Sequence, residues 1–267
     1  LSFARRIHVF GALARIGATE SVAYRAEVVV WLLSTTMPLI MIAFFCAVAQ
    51  GGPVGRYGQA QFVAYFLATF VVRSLTGSFV SRQMNLEVRD GTLATRLMRP
   101  VHPLLAYAAE SVGALPIRIA VAVPVAVGML VGLGPGALTH EPLMALAFTA
   151  SLIAAWLLSI LISFAVGALS FFIDWSDKVM DAWLAGLFVF SGYTIPVDLF
   201  PPRLREVVEW MPFRYQIGLP VELMVGSHAG GEVLGLLARQ WAFVALAALI
   251  VRALWRRGVG RFAAYGG

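Results

Sequence analysis

The stretch EVRDGTLATRLMRPVHP, residues 87–103, sets Glu87, Arg89, Asp90, Arg96 and Arg99 around a Gly-Thr turn between two long apolar runs. Asp90 or Thr92 offers a side-chain oxygen for a helix N-cap. Pro100 disfavours helix at the residue before it, so a helix of about two turns ends by Arg99. On that helix Leu93 and Leu97 are i, i+4 neighbours and Arg96 and Arg99 are i, i+3 neighbours. The spacing predicts a short rigid helix that offers an apolar pair and a cationic pair to something outside the bilayer.

Other chemistries are poorly supplied. A phosphate-binding loop of the form G-x-x-x-x-G-K-[ST] needs a lysine behind glycines. The single lysine, Lys178, lies in DWSDKVMD with no glycine before it, so any ATP-driven work requires another subunit. His8, His102, His140 and His228 are far apart, and the topology below puts two on each side of a membrane, so no metal site is expected. A serine–histidine protease lacks a histidine within a span. An aspartyl pair lacks central aspartates, since Asp174, Asp177 and Asp181 flank the spans. We therefore expect no catalytic residue and no cofactor bound by this chain. Nucleic-acid binding would want a solvated basic face with interleaved aromatics, whereas here the arginines flank apolar runs.

The elements that must carry the 87–103 segment follow from composition. The chain has 267 residues, 60% hydrophobic and 13% charged, with mean hydropathy +0.83. Soluble domains carry about 25% charged residues, so a polytopic membrane protein is the reading. A crossing helix needs about 20 apolar residues. Six segments qualify: 28–49, 57–80, 104–133, 143–173, 182–197 and 233–251. The fourth is longer than a bilayer requires and is expected to tilt or to extend beyond it. A GxxxG match at Gly128 and Gly132 permits close helix packing.

Basic residues gather on the cytoplasmic side of a membrane protein. Arg5, Arg6, Arg15 and Arg25 precede the first span; Arg82, Arg89, Arg96 and Arg99 follow the second; Lys178 follows the fourth; Arg252, Arg256, Arg257 and Arg261 close the chain. The other side has Arg56, Arg203, Arg205 and Arg214. Both termini and the 87–103 segment are thus expected in the cytoplasm, in a cell inner (plasma) membrane. Within spans, Arg73 is expected to snorkel to the inner headgroups and Arg239 to the outer ones, while Glu110 and Arg118 share a face without pairing.

Two further elements flank the spans. Phe3, Ile7, Phe10 and Leu13 recur at helical spacing beside Arg5, Arg6 and Arg15, which predicts an amphipathic interfacial helix within residues 1–27. Residues 198–232 are too apolar for a free loop and too proline-broken for a span. We expect two short interfacial or re-entrant helices there, one opened by Pro202 and ending before Pro212, the other over 215–224. No repeat or linker divides the chain, so 1–267 is one domain.

Five segments carry a resemblance: YRAEVVVWLL (24–33), DGTLATRLMRPVHPLL (90–105), FFIDWSD (171–177), IPVDLFPPRLREVVEWMPFRYQIGLPVELMVG (195–226) and the tail RRGVGRFAAYGG. Together they resemble the transmembrane permease of ABC-2-type ABC exporters, in the branch related to viologen and drug exporters. The resemblance implies an all-α integral membrane fold of six transmembrane helices, with a cytoplasmic coupling helix between spans two and three. It implies a separate nucleotide-binding ATPase subunit that uses ATP and Mg and docks on Asp90, Gly91, Thr92, Leu93, Arg96, Leu97, Arg99 and Pro100, with Asp174 and Asp177 as a lesser contact. It further implies an outer re-entrant hairpin gating release, with Pro196, Trp210, Pro212 and Pro220 in the gate. A second permease, identical or a sister chain, would pair along spans one, two and five. Met37, Phe44, Phe66, Phe70 and Phe190 are candidates to line the substrate path, which would admit organic cations, lipids or hydrophobic drugs. The alternatives are a proton-coupled carrier or channel and a polytopic membrane enzyme.

Overall fold

The computed structural model describes residues 11–12, 36–133, 141–228 and 230–262. All regular structure among them is helical, apart from one β-bridge between Val54 and Tyr57. Four helices are long and apolar enough to cross a membrane: Gln59–Arg89, Leu115–Leu133, Pro142–Phe171 and Gly231–Val259. The chain is a membrane protein. The expected interfacial helix in 1–27 and the start of the first span lie outside the described residues, except for Gly11 and Ala12.

Helix α1 (Met37–Val48) continues as a tight turn to Gly51 and ends at Gly52, whose φ of 132° suits only glycine. It packs on α2 (Gln59–Thr76) through Phe45, which stacks on Phe62 and Phe66. The second crossing is not the single run ending at residue 80. It breaks over 77–79, where Gly77 is extended, and resumes as α3 (Val80–Arg89). The turn helix α4 (Leu93–Leu97) follows.

The expected third span, 104–133, is two helices. α5 (Pro103–Gly113) and α6 (Leu115–Leu133) meet at Ala114, where Pro116 has no N–H to return to the carbonyl four residues back. Only α6 qualifies as a crossing helix. No described atom lies within 4 Å of a side chain placed at Gly128 or Gly132, so the GxxxG face packs against nothing described.

Helix α7 (Pro142–Ala168) is the axis of the bundle. One core gathers α3, α7, α10 (Gly218–Met224) and α11 (Gly230–Val259) around Met84, Leu158, Phe164 and Leu219. A second gathers α1, α2 and α10 around Phe45, Phe62, Tyr65 and Val221. The expected fourth span ran to 173, but the helix closes at Ala168 and a tight turn, Leu169–Phe171, follows.

The fifth expected span, 182–197, is corrected in both bounds. α8 (Ser176–Phe190) starts earlier, taking in Asp177 and Asp181, and stops earlier. Gly192 turns the chain at φ 87°, and its carbonyl accepts from the Tyr65 hydroxyl at 2.9 Å. At about 1.5 Å per residue α8 is shorter than the roughly 30 Å hydrocarbon core. The hairpin then forms α9 (Pro202–Glu209) and α10 (Gly218–Met224), close to expectation. α11 (Gly230–Val259) outruns the expected 233–251 and takes Arg252, Arg256 and Arg257 onto the helix.

Candidate functional site

The 87–103 segment folds as a tight elbow at one end of the bundle. α3 stops at Arg89, and Gly91 turns the chain at φ 74°, a conformation costly for any residue with a Cβ. The expected side-chain N-cap is not made: Asp90 closes α3, and Thr92 precedes α4 without capping it. Backbone turns from Gly91 O to Ala94 N–H and from Thr92 O to Thr95 N–H start α4 instead.

The predicted outward pairs are split by the fold. Leu93 is 0% exposed, packed in the core with Met84, Val88 and Tyr107, and Leu97 packs partly against the same core. Arg96 also turns inward. Its Nε and Nη2 donate to the two oxygens of Glu87 at 2.9 and 2.7 Å, and its Nη1 donates to Glu110 at 2.7 Å. The guanidinium lies 4.2 Å from the centre of the Tyr107 ring, whose hydroxyl donates to Glu87 at 2.6 Å. Burial by itself disfavours the Arg96 charge, but Glu87 and Glu110 more than offset it and raise its pKa. Leu93 and Arg96 are thus anchors of the elbow rather than surface presented to a partner. The outward face is Asp90, Thr92, Thr95, Met98, Arg99 and Pro100, with Met98 79% exposed.

Two contacts hold this end together. His102 accepts the Leu104 N–H on Nδ1 at 3.2 Å and so caps α5. Its ring lies 5.2 Å from that of Trp255, and burial pushes its pKa down, which favours the neutral acceptor form. Asn85 of α3 donates to Ser176 at the start of α8. That clip brings the exposed Asp174, Trp175 and Asp177 to the same end of the bundle as the elbow.

At the opposite end the hairpin is held by charges. Arg56 pairs with Asp198, which also accepts from the Tyr57 hydroxyl at 3.1 Å and faces Arg205 at 3.4 Å. Arg205 continues to Glu209 at 3.0 Å. Arg214 donates to Glu222 at 2.8 Å, and the His228 ring contacts the same carboxylate oxygen at 2.7 Å. Glu222 is 2% exposed. Burial opposes its charge, but Arg214 and His228 win and hold its pKa at about 2. Gln240 of α11 donates to the carbonyls of Ser151 and Tyr215 at 3.0 and 2.8 Å, tying the hairpin to α7.

Of the gate candidates, Pro196 and Pro220 are buried and Pro212 is half-buried, while Trp210 is exposed beneath the Arg239 guanidinium at 4.5 Å. A cavity of about 330 Å³ opens beside the hairpin between Arg56, Gln61, Leu133 and Ser227.

The path candidates do not converge. Phe66 and Phe70 are sealed in the core, where Phe66 stacks on Phe45. Phe44 faces outward, Met37 sits at the start of α1, and Phe190 leans on Phe213 at 6.2 Å. The polar interior lies elsewhere. Arg118 donates to the Gly77 carbonyl at 2.5 Å, not to Glu110, as its spacing foretold. Arg73, in the last turn of α2, lies within electrostatic range of Arg118 and Tyr193.

Sequence reasoning missed Glu87, Tyr107, Met98, Glu222 and Gln240. The signal available was that Glu110 and Glu222 are acids within apolar runs, where a carboxylate demands a cation; Glu87, among polar neighbours, carried no such mark. Among the described residues no group of His, Cys, Asp and Glu is placed to hold a metal.

The sequence model of a family described as ABC-2 family transporter protein matches residues 32–266. No curated protein matches the chain.

Proposed function

Since this chain belongs to the ABC-2 family of transporter proteins, we propose that it is the permease of an ATP-driven exporter whose ATPase is a separate subunit that uses ATP and Mg. Six crossings remain our reading, with α1 and α8 joining the four long helices, and the arginine distribution supports cytoplasmic ends. The ATPase docks on the outward face of the elbow, at Asp90, Gly91, Thr92, Thr95, Met98, Arg99 and Pro100, with Asp174 and Asp177 beside it.

One observation carries this reading. Arg96 clamps α4 to Glu87 on α3 and Glu110 on α5. A push on the elbow is therefore delivered to both neighbouring helices together rather than absorbed by a loose loop. α3 continues the second crossing and α5 leads into α6, so the force reaches two crossings. Packed helices respond to such a push by switching between discrete arrangements. Export, the viologen and drug branch, and pairing with a second permease follow from the resemblance and the exposed faces of α1 and α8.

The test is co-purification of the ATPase with Met98→Asp/Arg99→Glu, which keeps the inward clamp. The ATPase is expected to be lost while the permease is recovered from membranes at its normal level. Retention of the ATPase refutes the docking face. Transport by the purified permease alone, without ATP, would instead support a carrier or channel.

A further inference from the structure

At the hairpin end of the bundle most carboxylates already hold a cation. Asp198 takes Arg56 and Arg205, Glu209 takes Arg205 and Arg214, and Glu222 takes Arg214 and His228. Arg203 and Arg239 stand outside this network. Among the described residues neither enters an ion pair, although Glu206 lies three residues after Arg203, and both arginines are exposed.

Arg239 stands on the lipid side of a crossing helix. It shares one face of α11 with the exposed Leu246 and Ile250, its i+7 and i+11 neighbours. At about 1.5 Å per residue the 30 residues of α11 outrun the roughly 30 Å hydrocarbon core. No charge falls between Arg239 and Arg252, and Arg256 is about 26 Å along the helix from Arg239. An apolar slab fitted between these cations leaves Arg239 at the headgroup level of the leaflet on the hairpin's side. An exposed cation at that level meets phospholipid phosphates.

The hairpin adds a second face at the same level. On α9 and the residue that closes it, Arg203, Val207 and Trp210 are i, i+4 and i+7 neighbours, and all three are exposed. Leu204 is exposed beside them. The Trp210 ring carries the Arg239 guanidinium at 4.5 Å, which sets this row against α11. Amphipathic tryptophan belongs at the membrane–water boundary, its body apolar and its edge among headgroups. We propose that Arg203, Trp210 and Arg239 form a binding site for the head of an anionic phospholipid of that leaflet, with Leu204 and Val207 against its acyl chains. A phosphate offers two oxygens to a guanidinium fork. Two arginines without carboxylates also select a head with net negative charge over a zwitterionic one. The lipid then ties the hairpin to the leaflet. This site goes beyond the transporter reading and does not depend on it.

The test uses the full chain in nanodiscs of phosphatidylcholine and phosphatidylglycerol, with bromine on the acyl chains of one lipid or the other. Brominated chains quench a tryptophan they touch, and the Trp210 signal is the difference between wild type and Trp210→Phe. Brominated phosphatidylglycerol is expected to quench that signal at a share at least about fivefold lower than brominated phosphatidylcholine, since one arginine near an anionic head contributes about that factor. Arg203→Gln/Arg239→Gln is expected to make the two lipids equal, and Arg203→Lys/Arg239→Lys to keep much of the preference. Equal quenching by the two lipids in the wild type overturns the proposal, as does a preference unchanged in the double Gln variant. A Trp210 signal that neither lipid quenches places this face in water or under another protein, and overturns it too. No ATPase is present in the measurement, so its failure is distinct from failure of the docking face.

Discussion

Replacing Arg96 by Met leaves Glu87 and Glu110 facing each other without their shared cation. In the native elbow one guanidinium meets Glu87 at 2.7 and 2.9 Å and Glu110 at 2.7 Å. Arg96 keeps 12% of its side chain exposed, and the two carboxylates 17% and 16%, so solvent screens the cluster only weakly. A pair of unit charges about 4 Å apart at an effective dielectric of about 20 gains about 4 kcal/mol, largely offset by desolvation. Removing one partner of such a buried pair forfeits the gain and keeps the desolvation, at about 3–5 kcal/mol. At about 2–4 °C per kcal/mol for a chain of roughly this size, that corresponds to a fall in melting temperature of about 6–20 °C. The assay is thermal unfolding of the purified permease in detergent. Arg96→Met is expected to fall in that range, and Arg96→Met/Glu87→Gln/Glu110→Gln to recover much of the loss because no uncompensated charge remains. A shift of Arg96→Met below about 2 °C, or no recovery in the triple variant, refutes the clamp.

Other outcomes follow from the same geometry. Met98→Asp/Arg99→Glu is expected to melt within about 2 °C of wild type, since exposed substitutions away from special features cost about 0.5 kcal/mol, which separates the outward residues from the inward ones. Glu222→Gln is expected to destabilise the hairpin, with a pH signature. Because the folded pKa of Glu222 is depressed to about 2, its contribution is complete above its ordinary value near 4.5 and is lost as the pH falls from there through about 2. The melting difference between wild type and Glu222→Gln should therefore shrink as the pH falls below about 4.5. Gly192→Ala places a Cβ 2.5 Å from the Tyr65 hydroxyl at a φ of 87°. It is expected to cost about 1–3 kcal/mol in a melting assay, and Gly192→Ala/Tyr65→Phe should recover only part.

Much of the architecture was legible because lipid imposes a simple rule. Long charge-free runs such as the one holding α7 must be helices, since no water is present to satisfy their backbone. The hairpin after Pro202 was legible too, because proline and apolar residues alternate there in pieces too short to cross. The breaks were less visible. Pro116 and Gly77 each interrupt an apolar run that hydropathy reads as continuous, and Gly192 ended α8 early through a turn and a contact with Tyr65 from another helix.

The candidate site shows the division most clearly. Residue types and spacing placed a turn, a short helix and exposed cations at 90–100, because Gly91 and Pro100 restrict the backbone locally. Which cations face outward was decided elsewhere, by Glu87 and Glu110. A charge chooses its direction by the partner within a few ångströms, and that partner belongs to a helix the local pattern does not contain. In the same way the sequence alone determined that Arg73 and Arg118 lie within membrane helices. Only the packing of α2 against α6 brought them within range of each other, because electrostatic energy depends on distance in space and hydropathy depends on order along the chain.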